Sequence, residues 1–163
     1  MKQLLIVYQS MTGAAEQLAG AAAAGARDET EVETRLVTAA GAGIEDMLQA
    51  DGYLFATPEN LATMAGLMKD FFDRVYYPAL DRINGRPYAA IIAAGTDGTG
   101  AARQVQRIAT GLRLREVAPP LVIRNGAQSP EAILAPKIVP AADLARAREL
   151  GAGLAAGLAS GIF

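Results

Sequence analysis

Short apolar runs alternate with segments of helical periodicity along this chain, and this alternation constrains its fold more than any other feature. Three of the runs, residues 4–8, 52–57 and 88–95, are rich in strand-forming residues. Continuous apolar runs are typical of strands that are buried on both faces of a sheet. Two shorter segments, 32–37 and 121–123, complete five predicted strands, and the first of them alternates as an edge strand does.

Helical segments lie between these strands. The clearest amphipathic pattern places apolar residues at i, i+3, i+4, i+7, i+8 and i+11, at Met64, Leu67, Met68, Phe71, Phe72 and Val75. Further helices are predicted over 13–26, around 44–48, over 102–112 and over 144–158. Strands that alternate with helices need right-handed crossovers, which give a mostly parallel sheet. We therefore predict an α/β fold, a doubly wound sheet of five parallel strands with helices on both faces, in one domain spanning 1–163.

The composition excludes several kinds of chemistry. The chain has no cysteine and no histidine, which removes disulfides, thiolate chemistry, most zinc sites and Ser-His-Asp triads. A net charge of −2 offers no broad basic surface for nucleic acid. No apolar run approaches the roughly 20 residues of a membrane-spanning helix. We expect a cytoplasmic protein without a metal site, whose catalysis depends on carboxylates, Lys or Arg, hydroxyls, backbone amides or a borrowed cofactor.

The loop after the first strand, QSMTGAA (9–15), is the first candidate binding segment, because doubly wound sheets bind ligands beyond the carboxyl ends of their strands. The unpaired amides and the positive dipole end of a helix hold an anion without a basic side chain. Ser10 and Thr12 add hydroxyl groups, and Gly13 lets the backbone approach closely. A phosphate of roughly −1.5 to −2 charge suits this loop. The alternative is that Thr12 is only the N-cap of an alanine-rich helix.

Two further loops are longer than a turn into a helix requires. The stretch TPENLATMAG (57–66) starts where Pro58 is expected to end a buried strand, and residues 60–62 are placed to lie flat against a planar ligand. The stretch 95–100 has three glycines within six residues, which suggests backbone close to a ligand. The alternatives are an ordinary turn with Thr63 as N-cap and a mobile surface loop.

Other glycine-rich or unusual segments carry weaker signals. No Gly-Lys-[Ser/Thr] follows the first strand, which excludes a nucleotide-triphosphate loop, and 41–46 lacks the third glycine of a dinucleotide fingerprint. Gly151, Gly153 and Gly157 lie inside a helix, where close packing is the better explanation. The connection 124–140, rich in Pro and Ala, is predicted to cover one end of the sheet or to lie in a subunit contact.

With these loops, the chain resembles the flavodoxin-like family and, within it, the small NAD(P)H-dependent flavin and quinone reductases. Residues 10–15 resemble the phosphate loop of that family, hydroxyl-x-hydroxyl-Gly-x-hydroxyl. Residues 57–60, with the helix through residues 64–74, resemble its second flavin loop and the helix after it, which is the more specific match. Residues 95–100 resemble the third loop.

This resemblance extends from residue 1 to about residue 125. It implies the flavodoxin-like strand order 2-1-3-4-5 and FMN as the cofactor. It also implies NADPH or NADH as the co-substrate and a small-molecule electron acceptor such as a quinone or a free flavin. Assembly as a homodimer or homotetramer through the helix predicted over 64–77 is a hypothesis taken from related reductases.

The same resemblance implies a set of site residues. The phosphate would be bound by Ser10, Met11, Thr12, Gly13, Ala14 and Ala15. The ring would be lined by Pro58, Glu59, Asn60, Leu61 and Ala62. Its other side would be closed by Gly95, Thr96, Asp97 and Gly98. No catalytic residue is assigned, because solvent can supply the proton.

One departure from the family pattern lies at Ala15, where a hydroxyl often completes the phosphate loop, so weaker FMN binding is expected. The three loops contain no aromatic residue, and the chain is much less acidic than electron-carrier flavodoxins; both features favour an enzyme. The alternatives are a flavodoxin-type carrier that does not itself oxidise NAD(P)H and a cofactor-free binding protein. A receiver-like signalling module is disfavoured because Gln9-Ser10 and Thr57-Pro58 replace its acidic cluster.

Overall fold

The computed structural model describes residues 1–163 and shows a sheet that lies between two layers of helices. The strands are β1 (Lys2–Tyr8), β2 (Val32–Thr38), β3 (Gly52–Asn60), β4 (Thr63–Met64), β5 (Pro87–Ala94), β6 (Arg115–Glu116) and β7 (Leu121–Arg124). The helices are α1 (Ala14–Ala26), α2 (Ile44–Gln49), α3 (Gly66–Ala79), α4 (Thr99–Gly111), α5 (Pro130–Leu134) and α6 (Ala141–Ser160). None of these helices combines the length and the apolar character that crossing a bilayer would require.

The sheet topology confirms the predicted class of fold but not its detail. All pairs in the sheet are parallel except the β3–β4 pair, and the strand order is β2-β1-β3-β5-β6, with β4 on β3 and β7 on β5. The sheet therefore has seven strands, and the five-stranded order 2-1-3-4-5 is incomplete. The two additional strands, β4 and β6, are two residues long, which is too short to produce a periodic pattern. The short helix α5 was likewise not predicted.

Strand β3 continues past Pro58, where the sequence predicted its end. Beyond Ala56 it has no neighbour on the β1 side, because β1 ends at Tyr8, and proline is tolerated at such an edge. The chain then turns through Leu61 and Ala62, with φ of 52° and 64°, and returns as β4. Helix α3 consequently starts two residues later than its apolar pattern suggested.

The two faces of the sheet are packed differently. The face covered by α2, α3 and α4 contains the large aromatic residues, and the ring of Phe55 contacts that of Phe72 edge-on with centroids 5.0 Å apart. The face covered by α1 and α6 is filled mainly by alanine, leucine and isoleucine. On the outside of α3, Leu67 and Tyr77 are exposed, and assembly through this helix stays a prediction.

Glycines allow α1 and α6 to approach each other closely. A Cβ atom added at Gly151 would overlap the carbonyl oxygen of Ala22, and one at Gly25 would overlap the carbonyl oxygen of Arg148. Gly153, only two residues further along α6, has open space around it. The expectation of close packing is therefore confirmed at Gly151, whereas Gly153 has no neighbour that requires a glycine.

Substitutions at Gly151 and Gly153 distinguish the effect of helix–helix packing on stability from the effect of helix propensity. We expect Gly151→Ala to lower the free energy of unfolding by about 1–3 kcal/mol, because the two helices must move apart. Gly153→Ala should raise it by up to about 1 kcal/mol, because alanine is the better helix former. Urea denaturation of both variants measures the difference. Equal stability of the two variants would contradict the close packing.

Candidate functional site

A cavity of about 530 Å³ opens at the carboxyl edge of the sheet, where the predicted loops end. It is lined by the predicted residues Ser10, Met11, Thr12, Ala14, Ala15, Pro58, Glu59, Asn60, Leu61, Ala62, Gly95 and Thr96. The cavity is also lined by six residues that were not among the predicted site residues, namely Ala93, Ala94, Asn125, Ala127, Ile133 and Lys137. Gly13, Asp97 and Gly98 belong to the same loops but do not line it. All three candidate loops thus converge on one space, and ligand binding by their residues stays a prediction.

The N-terminus of α1 carries unpaired donors beside this cavity. Gly13, with φ of 103°, is the N-cap residue, so the sequence alternative of Thr12 as the cap is wrong. Ser10 Oγ accepts a hydrogen bond from the backbone N–H of Gly13 at 3.1 Å. The backbone N–H groups of Thr12, Ala14 and Ala15 have no acceptor within the protein. This end of the helix can therefore donate to an anion in the cavity.

The N-terminus of α4 has similar cap geometry but its amides are already occupied. Its cap residue Gly98 has φ of 100°. The carboxylate of Glu59 accepts hydrogen bonds from the backbone N–H of Gly98 at 2.8 Å and of Ala101 at 3.0 Å. A side chain of the protein thus supplies the negative charge at this helix end. Of the two helix ends, only that of α1 has no carboxylate hydrogen-bonded to its amides.

Asp97 lies on the outer side of the third loop, away from the cavity. Its carboxylate accepts hydrogen bonds from the Thr99 hydroxyl at 2.7 Å and from the Thr99 backbone N–H at 3.2 Å. These hydrogen bonds, with a smaller contribution from the positive charges of Arg124 and Arg103, lower the pKa of the Asp97 carboxyl. The structure thus gives Asp97 local contacts within its own loop.

The second loop is a tight hairpin that packs against α4. Gly100 makes this contact possible, because a Cβ atom there would overlap the carbonyl oxygen of Ala62. The side chain of Gln104 accepts a hydrogen bond from the Met64 backbone N–H at 2.8 Å. The amide of Asn60 also donates to the sulfur of Met11 at 3.2 Å, which joins the second loop to the first. Contacts with α4 and with the first loop therefore hold in place the hairpin whose residues 58–62 line the cavity.

The connection 124–140 covers the opposite wall, as one of its two sequence interpretations predicted. Its start follows the third loop closely, since the backbone N–H of Gly126 donates to the carbonyl of Gly95 at 2.8 Å. Further along, the backbone N–H of Lys137 donates to the carbonyl of Thr12 at 2.8 Å. The sequence marked this connection only by its richness in Pro and Ala. No motif pointed to Ile133 or Lys137.

The chemistry of the lining fits FMN. The volume is within the range of about 300–1,000 Å³ that small-molecule sites occupy. The unpaired amides of α1 lie at one end, while apolar side chains and backbone form much of the remaining wall. No Phe, Tyr or Trp lines the cavity, in agreement with the sequence of the loops.

Comparisons with known proteins agree with this geometry. Residues 4–128 match the family model of the NADPH-dependent FMN reductases. The chain is 34% identical over 100 residues to a flavodoxin of Aquifex aeolicus, covering 61% of this chain and 54% of that protein. It is 32% identical over 94 residues to an NAD(P)H dehydrogenase (quinone) of Acidithiobacillus ferrooxidans, covering 45% of this chain and 47% of that protein. The chain spans about half the length of these curated relatives.

Among solved structures, a flavodoxin from the domain Archaea superposes with a TM-score of 0.77 at 16% sequence identity. The superposition covers 96% of this chain and 98% of that one. The expectation of a flavodoxin-like fold is thereby confirmed.

The contact between the second loop and α4 is testable at Gly100. We expect Gly100→Ala to displace the carbonyl of Ala62 and to lower the thermal midpoint by about 2–10 °C. Gly66→Ala is the matched control, because Gly66 starts α3 and has open space around it. Thermal unfolding followed by circular dichroism compares the two. If Gly100→Ala has the same thermal midpoint as Gly66→Ala, the hairpin does not depend on this contact.

Proposed function

The chain belongs to the NADPH-dependent FMN reductase family, and we propose that it binds FMN and passes electrons from NADPH or NADH to a quinone, a free flavin or a similar small acceptor. The observation that carries this proposal is the convergence of three strand-end loops on one cavity that also contains unpaired helix amides. The residues of the three loops would hold FMN, and the bound cofactor would supply the redox chemistry between the nicotinamide and the acceptor.

The phosphate end of the site is proposed at the start of α1. There the backbone N–H groups of Thr12, Ala14 and Ala15 donate to the phosphate, and the hydroxyls of Ser10 and Thr12 are additional donors. A dianionic group is favoured at this position by the helix dipole as well as by the hydrogen bonds. The equivalent end of α4 does not compete, because Glu59 occupies its amides.

The ring is proposed to lie between the β3–β4 hairpin and the third loop. The cavity lining includes Pro58 to Ala62 from the hairpin and Gly95 with Thr96 from the third loop. Since no aromatic side chain lines the cavity, none stacks on the ring, and a flat co-substrate can approach it. This feature supports an enzyme that oxidises nicotinamide rather than a carrier that only exchanges electrons.

The proton source is proposed to be solvent. Only two charged side chains line the cavity, Glu59 and Lys137. The carboxylate of Glu59 accepts two amide hydrogens of α4, and the ammonium of Lys137 donates to three backbone carbonyls. Each group is committed to structural hydrogen bonds, so neither is assigned as a general acid.

A flavodoxin-type electron carrier is the second candidate function, favoured by the 34% identity with the Aquifex aeolicus flavodoxin. Such a carrier would bind FMN in the same cavity. It would differ in not being reduced directly by NADPH or NADH.

The test is a visible absorption spectrum of the purified protein before and after addition of FMN, followed by rapid mixing with NADPH or NADH. We expect the visible spectrum of added FMN to change as it binds, and the bound flavin to be bleached by at least one nicotinamide. A quinone added afterwards should restore the oxidised spectrum. Bound flavin that neither nicotinamide reduces would identify a carrier. A protein that stays colourless after FMN addition would reject both functions.

Ala15 offers a gain-of-affinity test of the phosphate position. Ala15→Ser restores a hydroxyl at the family position, and a hydrogen bond to a charged group contributes about 1.5–3 kcal/mol. We expect FMN to bind about tenfold more tightly, and riboflavin, which lacks the phosphate, to bind unchanged. Quenching of flavin fluorescence measures both affinities. An equal change for the two ligands would place the phosphate elsewhere.

A further inference from the structure

Lys137 is the only positively charged side chain that lines the cavity. The other charged lining residue, Glu59, directs its carboxylate to the amides of α4. Lys137 is half-buried, whereas the residues on either side of it in the chain are exposed. It lies in the connection 124–140, which the sequence marked as unusual without assigning it a function.

The ammonium of Lys137 is held by carbonyl groups and by no carboxylate. Its Nζ donates to the carbonyl oxygens of Ala132 and Ile133 at 2.8 Å and of Ala135 at 2.6 Å. No Asp or Glu oxygen lies within 4.0 Å of it. Carbonyl dipoles fix the position of the ammonium and offset part of its charge, but they carry no net negative charge. Lys137 therefore brings to the cavity lining a positive charge that no carboxylate neutralises.

The backbone of Lys137 is fastened to the phosphate loop. Its N–H donates to the carbonyl of Thr12 at 2.8 Å. The side-chain amide of Gln17 donates to the carbonyl of Lys137 at 2.8 Å and to that of Gly13 at 2.9 Å, and its oxygen accepts from the backbone N–H of Val139 at 3.0 Å. One glutamine of α1 thus links the start of its own helix to a segment about 120 residues away in the chain.

We propose that Lys137 supplies the counter-charge for the phosphate of FMN and makes the site prefer FMN to riboflavin. This inference rests on the proposed function, because it concerns the same cavity. The loop 10–15 contains no basic side chain and lacks a hydroxyl at position 15. An ammonium at the edge of a partly buried site attracts a dianion more strongly than it would in bulk water. Lys137 thereby compensates for the donor that Ala15 omits.

Titrations of FMN and riboflavin into wild-type protein, Lys137→Gln, Lys137→Arg and Lys2→Gln test this assignment by quenching of flavin fluorescence. Lys137→Gln should raise the Kd for FMN about tenfold and leave the Kd for riboflavin within about twofold. Lys137→Arg keeps the charge, so its Kd for FMN should stay within about threefold of wild type. Lys2 lies at the start of β1 and outside the cavity, so Lys2→Gln should match wild type for both ligands.

The riboflavin titrations distinguish an electrostatic role of Lys137 from a role in shaping the connection 124–140. If Lys137→Gln weakens both ligands equally, the lysine only shapes the connection, and the proposal is overturned. Unchanged affinity for both ligands overturns it as well. Lys137→Met, which keeps the aliphatic chain, replaces the glutamine variant if circular dichroism shows that variant unfolded. A wild-type protein that binds neither flavin would instead reject the proposed function itself.

Discussion

The unpaired backbone amides at the start of α1 are the constraint on which the site depends. Every α-helix begins with N–H groups that have no intrahelical partner. In α4 the protein satisfies two N-terminal amides with Glu59, whereas in α1 those of Ala14 and Ala15 face the cavity without an acceptor. The two helices begin with nearly the same cap geometry, so the difference arises from the position of the Glu59 side chain at the start of α4. Because of this difference, an anion in the cavity is stabilised most at the start of α1.

Packing on the α1 face determines where that helix end lies. Gly25 and Gly151 let α1 and α6 approach until their backbones touch, and alanines fill much of the layer between α1 and the sheet. Small residues therefore hold α1 close to the sheet along its length. Its first turn lies directly beyond β1, and the loop between them contains Ser10 and Thr12. The alanine-rich composition of α1 is what brings its N-terminal amides close to the end of β1.

The sequence predicted the five longer strands, the sheet's parallel character and the three converging loops, because each is encoded by local periodicity or by turn residues. It missed the β3–β4 hairpin, since Leu61 and Ala62 adopt left-handed backbone angles that usually favour glycine or asparagine. It also missed Ile133 and Lys137. Their place in the cavity depends on hydrogen bonds to residues more than a hundred positions earlier, which no local pattern records.

The two charged lining residues distribute charge unevenly around the cavity. Glu59 carries a negative charge on the wall formed by the second loop, but the amide dipoles of α4 offset it. Lys137 carries a positive charge on the wall joined to the first loop, where the amides of α1 add to it instead of cancelling it. At the first loop the lysine charge and the helix dipole therefore have the same sign, whereas at the second loop the carboxylate and the helix dipole have opposite signs. This difference supports the proposed orientation of FMN, with its phosphate at the α1 end and its ring between the hairpin and the third loop.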